Sequence, residues 1–157
     1  MKFSPEHWDV RVFHEKFKLL MGKEPQQLTK RKLEERIQFL QEELDEFTKA
    51  TGLTKKFGPD GVNYWDFEDP QYFPGQADAL VDLVYVALGT AIMMGLPWEE
   101  LWIDVQRANM AKVRGETHRG HKVDVTKPVG WVPPKTEEIL LTAGWVKGAP
   151  EVDDESA

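Results

Sequence analysis

The sequence contains no cysteine, which excludes a disulfide framework and any chemistry that needs a thiolate. Residues 1–8 also lack the apolar run that marks a signal peptide. A chain without thiols suits the reducing environment of a cytoplasm. We therefore expect a cytoplasmic protein.

Positive charge is scarce as well. The chain has 20 Lys and Arg against 27 Asp and Glu, a net charge of −7, and its densest basic cluster covers only residues 30–32. Proteins that bind nucleic acid usually present a dense basic face. We therefore expect that this protein binds no nucleic acid.

A long apolar run is also missing. The most apolar stretch, residues 83–96, is shorter than the roughly 20 residues that a membrane-spanning helix needs, and Asp82 precedes it. The stretch predicts a buried helix and no membrane association.

Histidine is absent between His14 and His118. Carboxylate-bridged di-iron bundles need Glu-x-x-His pairs on their helices, so this class of enzyme is disfavoured. His118 and His121 lie three apart on a glycine-rich segment, where no metal site is predicted.

Apolar residues at helical spacing predict an all-α, four-helix-bundle-like fold in one domain. Residues 1–114 form the helical part, and residues 115–157 form an extended C-terminal arm that belongs to the same domain or contacts another subunit. The arm carries a short helix at 136–142. Residues 52–74, rich in glycine, proline and aromatics, form either a cover over the site or an ordered connection. The four main helices are predicted at 5–21, 29–50, 74–95 and 97–114.

Acidic residues are concentrated in the second helix. Glu42, Glu43 and Glu46 fall within an arc of about 100°, next to an apolar stripe that is expected to face the core. They should therefore lie at the edge of the core. The stripe consists of Leu33, Ile37, Leu40, Leu44 and Phe47.

Asp78 and Asp82 are four residues apart in the apolar third helix. Buried carboxylates must be protonated, paired or bound to metal, and these two helices have too few basic residues to pair all the acids. Because Mg²⁺ and Mn²⁺ prefer oxygen ligands, the pattern predicts a carboxylate site for one of these ions. The alternative is that the acids form a solvated helix face in a non-enzymatic interaction module.

The two acidic stretches, together with residues 107–113 (Arg-Ala-Asn-Met-Ala-Lys-Val), resemble the MazG-like all-α nucleoside triphosphate pyrophosphohydrolases, which include phosphoribosyl-ATP pyrophosphatase. The resemblance covers roughly residues 6–134 and is closest to the bacteriophage and bacterial branch. It implies that Glu42, Glu43, Glu46 and Asp82 are the catalytic metal ligands. Ala79 stands where the wider family has Glu, so Asp78 is expected to supply the remaining ligand.

The resemblance implies hydrolysis of a (deoxy)nucleoside triphosphate to the monophosphate and pyrophosphate, with Mg²⁺ or Mn²⁺, in the cytoplasm of a bacterium or a phage-infected host. Phosphoribosyl-ATP is the alternative substrate. Asn109 and Lys112 are implied to contact the nucleotide.

Aromatic residues supply the candidates for stacking on the base: Trp8, Phe13 and the Tyr64–Trp65 pair. His14 is either a further substrate contact or a structural histidine. Because the third helix is apolar on nearly all sides, it needs more cover than three neighbours supply, so a homodimer or homotetramer is expected.

Overall fold

A computed structural model describes residues 4–115 and 124–154 of the chain. Helix α1, Pro5–Phe17, begins after Ser4, whose hydroxyl caps it by accepting a hydrogen bond from the His7 amide at 3.3 Å. It ends earlier than predicted, since Lys18 adopts a left-handed conformation with φ of 54°.

Helix α2, Lys30–Thr51, is the longest helix of the described residues. Thr29 caps its start by accepting a hydrogen bond from the Lys32 amide at 3.3 Å. Gly52 ends it with φ of 71°, at a position where a Cβ would lie only 2.1 Å from the carbonyl oxygen of Asp69. Only glycine fits this turn.

Helix α3, Phe73–Met93, is the central element, because both α1 and α2 pack against it. Val10 of α1 joins Leu88 and Ile92 of α3 in the buried core. By length and composition α3 could also cross a membrane, although the core helices of soluble proteins pass the same test. Helix α4, Trp98–Met110, follows after a short turn.

The prediction of an all-α fold is wrong. Within the described residues, two small antiparallel sheets accompany five helices. Strands β1, Leu53–Phe57, and β2, Asn63–Phe67, form a hairpin from the segment interpreted as a cover or connection. A turn at Gly61, with φ of 79°, closes it. The second sheet pairs β3, Val113–Gly115, with β4, Asp124–Thr126.

The C-terminal arm packs along α4. The indole of Trp131 donates a hydrogen bond to the carbonyl of Ala108 at 2.7 Å, and the Lys135 amide donates to the Asp104 carboxylate at 2.6 Å. Helix α5, Thr136–Thr142, forms where the sequence predicts it. His118 and His121 lie outside the described residues.

The last described residues return to the start of α2. Val152 forms a parallel bridge with Leu28, and the Thr29 hydroxyl donates a hydrogen bond to Asp153 at 2.6 Å. Asp154 pairs with the buried Lys32 at 2.6 Å. The arm therefore braces the end of α2 that is remote from the three glutamates.

Candidate active site

The relative position of α2 and α3 is set by a close approach near each end of α2. A Cβ added at Gly89 would lie 3.4 Å from a terminal guanidinium nitrogen of Arg36, and one added at Gly75 would lie 3.3 Å from the Cβ of Ala50. The early part of α2 thus meets the late part of α3. The two helices are antiparallel.

The acids predicted to bind metal lie between these two contacts. Glu43 is midway between Arg36 and Ala50 along α2, and Asp82 is midway between Gly75 and Gly89 along α3. Glu43 therefore lies opposite Asp82.

Electrostatic coupling joins all five predicted metal ligands. Burial raises the pKa of Glu43, and the charges of four neighbouring carboxylates raise it further: Glu46, Asp82, Glu42 and Asp78. A cluster of negative charge on one interhelical groove attracts cations.

The cluster is open to solvent. Asp78 and Asp82 are exposed, so the expectation that they are buried is wrong for the single chain. Within residues 4–115 and 124–154, none of the five carboxylates forms a salt bridge with Lys or Arg. In the same part of the chain, no three acidic or histidine side chains converge closely enough to hold a metal. The groove supplies charge and oxygen donors without a complete coordination shell.

Arg36 lies at one end of the same groove, and the sequence analysis did not identify it as a site residue. Its guanidinium donates hydrogen bonds to the carbonyl of Val86 at 2.9 Å and to the hydroxyl of Thr90 at 3.0 Å. Burial lowers the pKa of Arg36. Its position on the acidic face of α2, seven residues before Glu43, is the sequence signal that could have identified it.

His14 is only 3% exposed and lies beneath α3. Its Nδ1 is 3.0 Å from the carbonyl oxygen of Leu20, which makes Nδ1 the protonated nitrogen. A Cβ at Gly89 would lie 3.0 Å from His14 Nε2. Gly89 therefore marks a close approach of the helices, and His14 occupies the space that this glycine leaves.

Phe13 and Trp8 lie on α1. Phe13 contacts Tyr85 edge to face, with ring centroids 5.5 Å apart. Because Tyr85 is three residues after Asp82, Phe13 lies about one turn along α3 from the acids. Trp8 is exposed.

Asn109 lies in the last turn of α4, and Lys112 lies two residues beyond the end of that helix. That helix packs against α5 and the arm, and among the described elements it forms no extensive interface with α2. A single chain therefore does not bring these two side chains to the acids.

The hairpin lies behind α2 rather than over the acids. Trp65 shares an apolar pocket of about 310 Å³ with residues of α2 that include Leu44 and Thr48. Thr48 is about 140° around the helix from Glu43. The Tyr64–Trp65 pair is thus outside the groove in the single chain.

Two antiparallel helices that face acids across one groove define a candidate nucleotide pyrophosphohydrolase site. The comparison with known families agrees with this class. The family model described as phosphoribosyl-ATP pyrophosphohydrolase matches residues 10–109, from α1 to Asn109 of α4, and the chain belongs to this family, which lies in the MazG-like superfamily.

Membership of this family implies an enzyme, a pyrophosphohydrolase that acts on a nucleotide. The matched region includes all five acids but ends before Lys112 and the arm. No curated protein matches the chain.

Proposed function

We propose that the protein hydrolyses the α–β phosphoanhydride of a nucleoside triphosphate or deoxynucleoside triphosphate, adding one water and releasing the monophosphate and pyrophosphate. The observation that carries this proposal is the position of Glu43 opposite Asp82, inside a group of five carboxylates with no basic partner among the described residues.

We propose Mg²⁺ or Mn²⁺ as the cofactor, held by Glu42, Glu43, Glu46 and Asp82 with help from Asp78. The fit rests on donor chemistry, because carboxylate oxygens suit these hard ions and the mutual repulsion that raises the pKa of Glu43 is relieved by a bound cation. When bound, such an ion lowers the pKa of a water ligand and polarises phosphate oxygens.

The proposed site residues then divide into two tasks. The carboxylates would hold the cation, which would offset the repulsion between a chain of net charge −7 and a polyanionic nucleotide. Lys112 and Asn109, which the single chain does not bring to the acids, are retained as proposed nucleotide contacts: Lys112 would offer a point charge to the phosphates and Asn109 would offer hydrogen bonds. Among the candidates for stacking on the base, Phe13 is the one that lies within about one helical turn of the acids.

The proposal retains phosphoribosyl-ATP as the alternative substrate, because the matching family carries that name. It also retains a cytoplasmic location and a homodimer or homotetramer, with no nucleic-acid or membrane partner.

A substrate panel tests the proposed function. The purified protein with Mg²⁺ is incubated with each ribo- and deoxyribonucleoside triphosphate and with phosphoribosyl-ATP, and pyrophosphate and orthophosphate are measured separately. We expect pyrophosphate and a monophosphate from at least one triphosphate. Turnover of phosphoribosyl-ATP alone would establish the alternative, and orthophosphate as the sole product would overturn the proposed reaction.

A further inference from the structure

Helix α2 meets α3 through a polar face. That face carries Arg36, Glu43 and Ala50, which lie within about 40° of one another around the helix. The apolar stripe expected to face the core, from Leu33 to Phe47, lies roughly a quarter turn away, and its second residue, Ile37, is 64% exposed. The expectation that this stripe faces the core is therefore wrong for the single chain.

Arg36 is held in the groove without a counter-charge. Its Nε donates to the Thr90 hydroxyl at 3.0 Å and its Nη2 donates to the carbonyl of Val86 at 2.9 Å, and both acceptors are neutral. Within residues 4–115 and 124–154 it forms no ion pair with a carboxylate. The neighbouring acid, Glu35, is bonded to two other basic side chains. A half-buried cation in such a place is stabilised by a ligand that accepts its hydrogen bonds.

The guanidinium of Arg36 keeps donors available for such a ligand. Two of its three nitrogens are bonded to α3, so the plane of the group is fixed. The remaining nitrogen, Nη1, forms no hydrogen bond with any residue that the structure describes. It offers two N–H donors and no acceptor.

The aromatic end of α1 lies beside Arg36. A Cβ added at Gly89 would lie close to both the Arg36 guanidinium, at 3.4 Å, and His14 Nε2, at 3.0 Å, so α1 and α2 come together over this glycine. The residue before His14 is Phe13, which is 40% exposed and contacts the ring of Tyr85. Tyr85 precedes the residue whose carbonyl accepts a bond from Arg36. A ring suited to stacking and a set of available donors thus lie along the same stretch of α3.

The acids lie farther along the groove from this aromatic end. Arg36 and Glu43 are seven residues apart, which places their Cα atoms about 10.5 Å apart along α2. A nucleotide spans a similar distance from its α-phosphate to the far edge of its base. The groove therefore has room for phosphates at the acids and a base at Phe13 and Arg36.

We propose that Arg36 is a specificity-determining residue that donates a hydrogen bond to the base of the nucleotide, and that it selects bases with a carbonyl oxygen at the edge remote from the sugar. This inference rests on the proposed function, which puts the phosphates at the acids. The ribose then lies between the acids and the base, so the edge that reaches Arg36 is the remote one. Guanine, hypoxanthine, uracil and thymine carry an oxygen there, whereas adenine and cytosine carry an amino group.

The selection follows from the donor-only chemistry of arginine. A carbonyl oxygen accepts a hydrogen bond from Nη1 of Arg36. An amino group at the same place sets N–H against N–H and leaves both groups unpaired, and the neighbouring ring nitrogen is reached only if the base shifts on Phe13. Because an unpaired polar group in a half-buried site is strongly unfavourable, we expect a preference of about 10-fold or more in kcat/KM.

Matched pairs of substrates test this inference. ITP differs from ATP at the remote edge of the purine, and UTP differs from CTP at the remote edge of the pyrimidine. With Mg²⁺ and pyrophosphate release as the readout, the wild-type protein should favour ITP over ATP and UTP over CTP by about 10-fold or more in kcat/KM. Arg36→Met should bring both ratios close to one. A purely structural role of Arg36 would lower all four values alike and leave the ratios unchanged.

Three further variants serve as comparisons. Lys30→Met removes a positive charge from an 88% exposed side chain of the same helix and should change neither ratio. Phe13→Ala should raise KM for all four substrates alike, because stacking on an aromatic ring tolerates every base. Arg36→Lys keeps the charge but not the planar fork, so it should lose the preference as Arg36→Met does.

Binding of monophosphates provides a test that needs no turnover. In calorimetry with Mg²⁺, IMP and UMP should bind the wild-type protein about 10-fold or more tightly than AMP and CMP, and Arg36→Met should remove the difference. Absence of pyrophosphate release together with this binding preference would refute the proposed reaction and leave base selection by Arg36 supported. Pyrophosphate release without any preference would refute base selection alone.

Two other outcomes would overturn the inference. The first is a wild-type preference for ATP over ITP or for CTP over UTP, which needs no variant and so does not depend on the folding of Arg36→Met. The second is a loss in Arg36→Met that is equal for all bases and much larger for triphosphates than for monophosphates. That result would assign Arg36 to the terminal phosphates.

Discussion

Glu43 of α2 lies opposite Asp82 of α3, midway between the contacts of Arg36 with Gly89 and of Ala50 with Gly75. Two contacts between small or polar residues thus set the register of two acidic motifs that are 39 positions apart in the sequence. Each of the following predictions changes one part of this arrangement.

Replacing Glu43 with Gln or Asp82 with Asn keeps the side-chain volume and removes one ligand charge. We expect pyrophosphate release to fall by about 100-fold or more, roughly 2.7 kcal/mol in transition-state stabilisation. The metal-free melting temperature should be equal or higher, because repulsion among the carboxylates decreases. Asp45→Asn is the matched control, since Asp45 bonds Gln41 on another face of α2 and should not affect turnover. Near-native activity in both amide variants would rule out the predicted metal ligands.

Gly89→Ala should destabilise the protein by about 1 to 3 kcal/mol, because the new Cβ would lie 3.0 Å from His14 Nε2 and 3.4 Å from Arg36. In an ordinary helix interior the same change stabilises a protein by about 0.5 to 1 kcal/mol. The sign of the change in unfolding free energy is therefore informative by itself. Urea unfolding measures the effect. A double-mutant cycle with His14→Ala should show coupling between the two positions. A gain in stability would mean that Gly89 is not closely packed against His14 and Arg36.

Asp154→Asn should lower the free energy of unfolding by about 1 to 3 kcal/mol. The buried Lys32 would lose the charge of its partner at 2.6 Å and keep only Glu35, at 2.7 Å. Glu138→Gln, which removes an exposed ion pair with Lys135 at 3.5 Å, is the control and should cost less than about 0.5 kcal/mol. Equal effects of the two changes in urea unfolding would contradict a bracing role for the C-terminal residues.

Stability should fall as the pH falls through the ordinary histidine range. Burial lowers the pKa of His14, the bond to the Leu20 carbonyl opposes this, and the charge of Arg36 lowers it further. In the unfolded chain His14 takes up a proton near pH 6.5, whereas in the folded chain it binds a proton only at lower pH. Acidification therefore favours unfolding.

His14→Gln should show a smaller loss of unfolding free energy than the wild type between about pH 7.5 and 5.5. Some dependence should remain, because burial also lowers the pKa of His7. If the unfolding free energy of His14→Gln depended on pH as strongly as that of the wild type, a group other than His14 would be responsible for the dependence.

Helix α2 shows both the strength and the limit of the sequence pattern. Its bounds, to within one residue, and the grouping of its acids on one face follow from local rules. The face that packs inward could not be predicted, because periodicity identifies an apolar stripe without naming what covers it. Arg36 was missed although its position seven residues before Glu43, on the same face of α2, is visible in the sequence.

The β1–β2 hairpin was missed for a different reason. Every residue of β2, from Asn63 to Phe67, is exposed, so the strand carries no alternation between buried and solvent-facing positions. The contact of Val152 with Leu28 spans more than a hundred residues and has no local signal at all.

That same contact bears on how fast the protein folds. The bridge between Leu28 and Val152 closes a very long loop, and the ion pair of Lys32 with Asp154 closes with it. Pairings so distant in sequence slow folding, since the entropy of loop closure is lost before the contacts compensate for it. During synthesis α2 must therefore persist without these partners until residue 154 has been made. Early folding intermediates should contain the α2–α3 hairpin with the start of α2 still frayed.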